Sequence, residues 1–217
     1  MSLVNHWQAI SSTLARTDTR LLAVSKYTTD EAVQMLIDAG QVDFAESRPQ
    51  HLRDRAQMFP QVNWHFIGPL QKNKAKYIAQ YATMWHSLAD LDIAEKVSNH
   101  VKGRKLPCLI QVNISGESQK QGVLPETLKD FYAKVNELPA LEIIGLMGMA
   151  AKDNHIRLSF RTLRKLRDDL QRQDGSIRQL SMGMSGDWKI AVEEGATMVR
   201  LGSSLFSEYP LLPSSQG

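Results

Sequence analysis

The clearest pattern in the chain is Leu21-Leu22-Ala23-Val24, four apolar residues with no alternation, running into Ser25-Lys26. An unbroken apolar run of that length marks a strand buried on both faces, as in a parallel sheet. Upstream, Trp7, Ile10 and Leu14 recur at helical spacing and predict a helix over 5–16, with Asn5 able to cap it. Downstream, Thr28 or Thr29 can cap a helix over 31–39 that stops at Gly40. The alternation then continues to the end of the chain. Strands are expected at 42–45, 63–67, 83–87, 107–113, 141–147, 179–182 and 197–201. Between them fall a helix opened by Pro49 and helices over 72–81, 90–101, 125–137, 155–173 and 187–194. The 155–173 helix is expected to turn Leu158, Leu163, Leu166 and Leu170 inward.

Eight strands alternating with helices predict an α/β fold, a single (β/α)8 TIM barrel with an extra N-terminal helix, spanning residues 1–217. No Gly-x-Gly-x-x-Gly follows any strand, which argues against an open dinucleotide-binding sheet. Barrel chemistry collects at the C-terminal ends of strands, and Lys26 stands at that end of the first one. A lysine there is partly desolvated, so its neutral, nucleophilic amine is more available for a Schiff base. The plain alternative is a strand-end lysine whose stem packs while its head reaches water.

Composition narrows the setting. The chain is 42% hydrophobic and 23% charged, an ordinary globular balance. A formal charge of +3 suits phosphorylated small molecules and does not by itself argue for nucleic acid. Cys108 is the single cysteine, so no internal disulfide forms and a reducing compartment is expected. No run of about 18 apolar residues and no signal-like start is present, so a cytoplasmic protein with no membrane partner is expected. No large exposed apolar stripe is evident, and monomer is the default.

Two glycine-serine segments close the last two strands: Met182-Gly183-Met184-Ser185-Gly186-Asp187 and Arg200-Leu201-Gly202-Ser203. In barrels of this kind those loops often hold a phosphate, so Ser185, Gly186, Gly202 and Ser203 are candidate ligands. Ser185 or Asp187 could instead simply cap the next helix. Arg200 can reach the phosphate, face a cofactor ring nitrogen, or pair structurally with a helix carboxylate. His65 alternates with Trp64 and Phe66 and points to the opposite face, as a satisfied core histidine or as a cofactor neighbour. Lys72, Lys74 and Lys76, with Arg157, Arg161, Arg164, Lys165 and Arg167, read as solvated basic faces diluted by Asp153, Asp168 and Asp169. His65 and His86 lack metal-ligand spacing, and no nucleophile elbow is present.

Read together, Ala23-Val24-Ser25-Lys26, Trp64-His65-Phe66-Ile67-Gly68, Gln111-Val112-Asn113-Ile114, Gly145-Leu146-Met147, Leu180-Ser181-Met182-Gly183-Met184-Ser185-Gly186-Asp187 and Val199-Arg200-Leu201-Gly202 resemble the pyridoxal-phosphate homeostasis proteins, the proline-synthetase co-transcribed family. The resemblance implies a barrel like the N-terminal domain of alanine racemase, with pyridoxal 5'-phosphate (PLP) joined to Lys26. It implies phosphate held by Ser185, Gly186, Gly202 and Ser203, with Arg200 near the cofactor. It also implies a carrier or buffer of PLP, without robust turnover, that serves PLP-dependent apoenzymes. A small PLP-dependent amino-acid racemase and a Schiff-base aldolase without PLP are the rivals. The chain ends soon after the last strand, which leaves no room for the second domain of alanine racemase-like enzymes. Two positions depart from the family pattern: Ser47 stands where it usually has asparagine, and Phe206-Ser207-Glu208-Tyr209 replaces Phe-Gly-x-Arg.

Overall fold

A computed structural model describes residues 2–117, 120–151 and 155–206. The apolar run near the N-terminus forms β1 (Arg20–Val24), and its alternate residues divide between two environments. Leu21 and Ala23 join the large apolar cluster beneath the helices. Leu22 joins a smaller cluster with Ala45, Met84, Leu109, Met147 and Met198 inside the barrel. Both faces are buried, which is why the run shows no polar alternation.

Seven more strands follow: β2 (Asp43–Glu46), β3 (Asn63–Phe66), β4 (Met84–Leu88), β5 (Leu106–Val112), β6 (Leu141–Gly148), β7 (Gln179–Ser181) and β8 (Met198–Leu201). They pair in sequence order, all parallel, into a closed barrel. Closure comes from β1 against β8, in register from Arg20 opposite Met198 to Ala23 opposite Leu201. The expected architecture is therefore present, including the leading helix α1 (Leu3–Leu14).

The outer ring comprises α2 (Asp30–Asp38), α3 (Pro49–Met58), α4 (Ala75–Tyr81), α5 (Leu91–His100), α6 (Leu128–Asn136), α7 (Ile156–Gln171) and α8 (Trp188–Glu193). Local chemistry shifts several expected boundaries. The α1 cap is Ser2, not Asn5, and its hydroxyl accepts the Asn5 N–H. Thr29, not Thr28, caps α2. The expected 72–81 and 125–137 helices each open with a single 3-10 turn, Lys72–Lys74 and Pro125–Thr127. On α7 the expectation for Leu158 fails: it is 59% exposed. The buried stripe is Ser159, Phe160, Leu163 and Leu170, so the core-facing side begins one residue later than the leucine pattern suggests.

The basic side of α7 is not an open polyanion surface. Arg157, Arg161 and Arg164 converge on the Glu194 carboxylate, at 2.6, 3.1 and 3.5 Å. Arg164 also donates to the Glu194 backbone carbonyl. The Arg157 hydrogen bond leads in holding Glu194 below the usual carboxylate range, which burial alone would raise. This cluster ties α7 to the end of the short α8, which has no side-chain cap of its own. Cys108 is buried in β5, and burial pushes its thiol far above the ordinary range, as befits a small core residue.

Gly68 and Gly145 are required by packing alone, since a Cβ on either would strike the backbone of a neighbouring segment. A Cβ on Gly145 in β6 would lie 2.0 Å from the Gln179 carbonyl oxygen of β7, whereas one on Gly175 would meet nothing within 4 Å. Gly145→Ala should cost about 2–3 kcal/mol in urea unfolding, and Gly175→Ala should fall within about 0.5 kcal/mol of the parent. Equal effects at the two positions would contradict the tight approach of β6 and β7.

Candidate functional site

Lys26 lies in the turn after β1, two residues beyond the strand, half-buried. That turn is held from behind by a buried charged bracket. Ser25 donates its hydroxyl proton to Glu46 Oε1 at 2.7 Å. Arg55, reaching in from α3, donates to Glu46 Oε1 and to the carbonyls of Ser25 and Thr28, at 3.1, 2.9 and 2.6 Å. Its Nε also pairs with Asp30 at 3.3 Å. Burial pushes the Glu46 carboxyl upward, against the opposing Arg55 charge and the Ser25 hydrogen bond. The turn is thus fixed at both carbonyls that flank Lys26 and Tyr27. The Lys26 Nζ sits 4.9 Å from the centre of the Tyr27 ring.

Across the β1–β8 seam, the two glycine-serine segments meet. Gly183 takes φ +93°, and a Cβ there would strike Ala191 at 2.5 Å, so this loop needs glycine for conformation and for packing. Asp187 accepts the Met184 N–H at 2.6 Å, closing the loop on itself. Asp187 does stand at the N-cap position of α8, but its side chain makes no capping bond to that helix. Ser185 Oγ accepts the Ser204 N–H at 3.0 Å and joins the two loops directly. Gly202 presses on Val24, with its virtual Cβ 3.2 Å from the Val24 oxygen. Gly186 has neither a left-handed φ nor any neighbour within 4 Å of such a Cβ, so the protein's own packing does not demand glycine there.

These pieces line one cavity of about 480 Å³. Lys26, Ser185, Gly186, Arg200, Gly202 and Ser203 all border it, joined by Val24, Tyr27, Thr28, Ile67, Met184 and Phe206. Arg200, 4% exposed, donates to the Ser181 carbonyl and hydroxyl, each at 2.7 Å, and to the Gly148 carbonyl at 3.1 Å. No carboxylate lies within ion-pair distance of it among the described residues, which disposes of the structural-pair reading. Burial brings its guanidinium down to about 10, with the charge of Asp187 opposing, so it remains cationic at neutral pH. Thr28 Oγ1, Ser204 Oγ and Glu46 Oε2 are buried with no hydrogen-bond partner, and all three belong to these same segments. Of these, Thr28 borders the cavity, and its unspent hydroxyl, a buried cation and an amine around one space fit an oxygen-rich anionic ligand carrying a carbonyl.

His65 is not with them. It lies inside the barrel, its Nδ1 2.9 Å from His86 Nε2 and its Nε2 3.2 Å from Asp43 Oδ1. His86 in turn meets Ser181 Oγ at 2.9 Å. Burial foremost, then the repulsion that a protonated His65 would exert and the charges of Arg200 and Arg20, hold His86 well below the ordinary imidazole range. Ser47 also lies elsewhere, bordering a neighbouring groove with Arg48, His51 and Lys74. The departure at Glu208 falls outside the described residues, as does Asp153. Sequence reading missed Tyr27, Thr28 and Phe206 at the cavity, and it missed the Glu46–Arg55 bracket. For Glu46 the available signal was a carboxylate directly after the apolar Phe44-Ala45, which burial of the whole strand obliges to find a partner.

Residues 2–210 match the family model described as alanine racemase, N-terminal domain. The chain is 40% identical over 190 residues to a pyridoxal phosphate homeostasis protein of Deinococcus radiodurans, covering 87% of this chain and 88% of that one. It is 37% identical over 197 residues to the pyridoxal phosphate homeostasis protein of Aquifex aeolicus, covering 87% and 86%. Among solved structures, PipY of Synechococcus elongatus with PLP bound superposes with a TM-score of 0.86 at 29% identity, covering 94% of this chain and all (100%) of that one.

His86 makes stability depend on pH. Its imidazole is neutral in the folded state and binds a proton near the ordinary value of 6.5 once unfolded. Below about 6.5 the unfolded state therefore holds more protons, and the stability that a neutral His86 supports is lost as pH falls. The urea midpoint of the parent should drop between about pH 6.5 and 5 more steeply than that of His86→Gln. Parallel pH slopes would show that His86 does not titrate on unfolding.

Proposed function

The chain belongs to the alanine racemase N-terminal domain family and, within it, to the pyridoxal phosphate homeostasis proteins, and from that membership we propose that it binds PLP covalently at Lys26 and serves as a carrier or buffer of the cofactor. The observation that supports this most directly is the single cavity in which the Lys26 amine, the buried Arg200 guanidinium and the two glycine-serine loops come together. The aldehyde of PLP is the carbonyl with which a lysine amine condenses, releasing water as the Schiff base forms. The Glu46–Arg55 bracket holds the lysine's turn in place for that condensation. The Ser185 and Ser203 hydroxyls and the backbone at Gly186 and Gly202 would hold the phosphate. The open space beside Gly186 is the room a phosphate oxygen needs to approach the chain.

Arg200 supports a carrier over a robust catalyst. A guanidinium facing the pyridine nitrogen cannot take a proton from it, so the ring is a weaker electron sink. Among the described residues, no carboxylate or imidazole lines the cavity, and the Tyr27 phenol next to Lys26 is the group there that could act as an acid or base in the rival reading. The protein is proposed to act as a monomeric single-barrel unit in the cytoplasm, exchanging PLP with PLP-dependent apoenzymes. No helix among the described residues is long and apolar enough to cross a membrane.

Added PLP should give the protein a visible band near ~420 nm. Lys26→Ala should abolish the band, and Ser185→Ala should weaken PLP binding about tenfold, the loss of one hydrogen bond to a charged group. An unchanged band in Lys26→Ala would overturn the anchor. Steady racemisation of a free amino acid by the loaded protein would replace the carrier reading with the enzymatic one.

A further inference from the structure

The barrel interior contains a continuous run of polar side chains that the proposed function does not use. From the N-terminal end of the strands toward the cavity it reads Asp43, His65, His86, Ser181 and Arg200, with contacts of 3.2, 2.9, 2.9 and 2.7 Å. Asp43 stands at the first position of β2 and keeps 12% of its side chain exposed. His86 and Ser181 are wholly buried. The run therefore links a carboxylate touching solvent at one face to the guanidinium at the other.

Chemistry settles the direction of each bond. Burial would raise the Asp43 carboxyl, but hydrogen bonds from His65 and Asn63 and the nearby Arg20 charge keep it below the usual carboxylate range. An ionised carboxylate only accepts, so His65 Nε2 carries the proton. In neutral His65, Nδ1 is then an acceptor, and His86 must donate from Nε2. His86 Nδ1 is left to accept the Ser181 hydroxyl proton. The Ser181 oxygen accepts from Arg200 Nη1. Every donor along the run points toward Asp43. The reverse polarity, with His65 doubly protonated, would turn the Ser181 hydroxyl away from His86 and leave that buried proton without an acceptor among these partners. The charged groups facing the two imidazoles are Arg20 from β1, Asp43 from β2 and Arg200 from β8.

We propose that Asp43, His65, His86 and Ser181 are positioning residues that form one polarised hydrogen-bond wire through the barrel and set the orientation and effective charge with which Arg200 faces the cavity. Hydrogen bonds in a chain polarise one another, so the Asp43 charge is felt at the Ser181 oxygen. That oxygen offsets part of the Arg200 charge. For the bound cofactor this deepens the proposed function and rests on it; for the wire itself it does not.

Two measurements separate the cases. Ring ¹⁵N NMR on the protein without cofactor should show both His65 and His86 as neutral Nε2–H tautomers at pH 7, with the hydroxyl proton of Ser181 slow to exchange. An Nδ1–H tautomer at His86, or a charged His65, would overturn the wire whether or not PLP binds. In the PLP-loaded protein, Asp43→Asn keeps an acceptor for His65 but removes the charge, and Ser181→Ala cuts the wire beside Arg200 while sparing the backbone bond. Both should lower the pH at which the visible band titrates, by roughly a few tenths of a unit, because a less compensated Arg200 disfavours a protonated ring. An identical titration in parent and both variants would overturn the action through Arg200. If the parent takes up no PLP, the proposed function falls, and the tautomers alone decide the wire.

Discussion

Everything at the site depends on the seam where β8 closes against β1. Pairing from Arg20 opposite Met198 to Ala23 opposite Leu201 sets the end of one strand beside the end of the other. Residues that are 174 positions apart, Lys26 and Arg200, then border the same space. Without that closure the lysine turn would face solvent alone, and the phosphate-type loops would have no amine opposite them. The close approach of Gly202 to Val24 shows how little room the seam leaves.

The barrel carries its charges in two different ways. Behind Lys26, Glu46 and Arg55 form a buried pair whose worth lies in fixing the backbone carbonyls of Ser25 and Thr28, since burial of such a pair is close to neutral for stability itself. Arg200 is handled otherwise. It is buried with carbonyl and hydroxyl oxygens but no carboxylate among its described bonding partners, so its positive charge is left directed at the cavity. A site that neutralised Arg200 internally would have much less to offer an anionic ligand.

Much of this was legible in the sequence because barrel strands carry a strong signal. The apolar runs gave eight strands in the right places, and six of the proposed ligands share a cavity because strand-end loops in this topology must converge. What was not legible depends on direction in three dimensions. The sequence turns His65 to the face opposite Trp64 and Phe66 without saying whether that is the barrel interior, and nothing local says that His86 and Asp43 wait there to receive it. The parallel alternation in Trp85-His86-Ser87 was the available clue. Leu158 misled because it was grouped with the other leucines although it lies five residues before Leu163, about 140° round the helix, whereas Ser159 and Phe160 stand four and three residues before it and share its buried side. The Glu46–Arg55 bracket joins elements whose side chains have no sequence spacing in common.

The short helix α8 follows the loop that carries Ser185 and Gly186, and its far end is secured by the arginines of α7 gathered on Glu194. Six residues with no side-chain cap form a poor cooperative unit on their own. The loop is therefore anchored from two sides, at the rim by the Met184–Asp187 and Ser204–Ser185 hydrogen bonds and, through α8, by the arginines of α7. The placing of the Ser185–Gly186 backbone at the cavity is thus set partly from outside the barrel, by charged groups that do not line the cavity themselves.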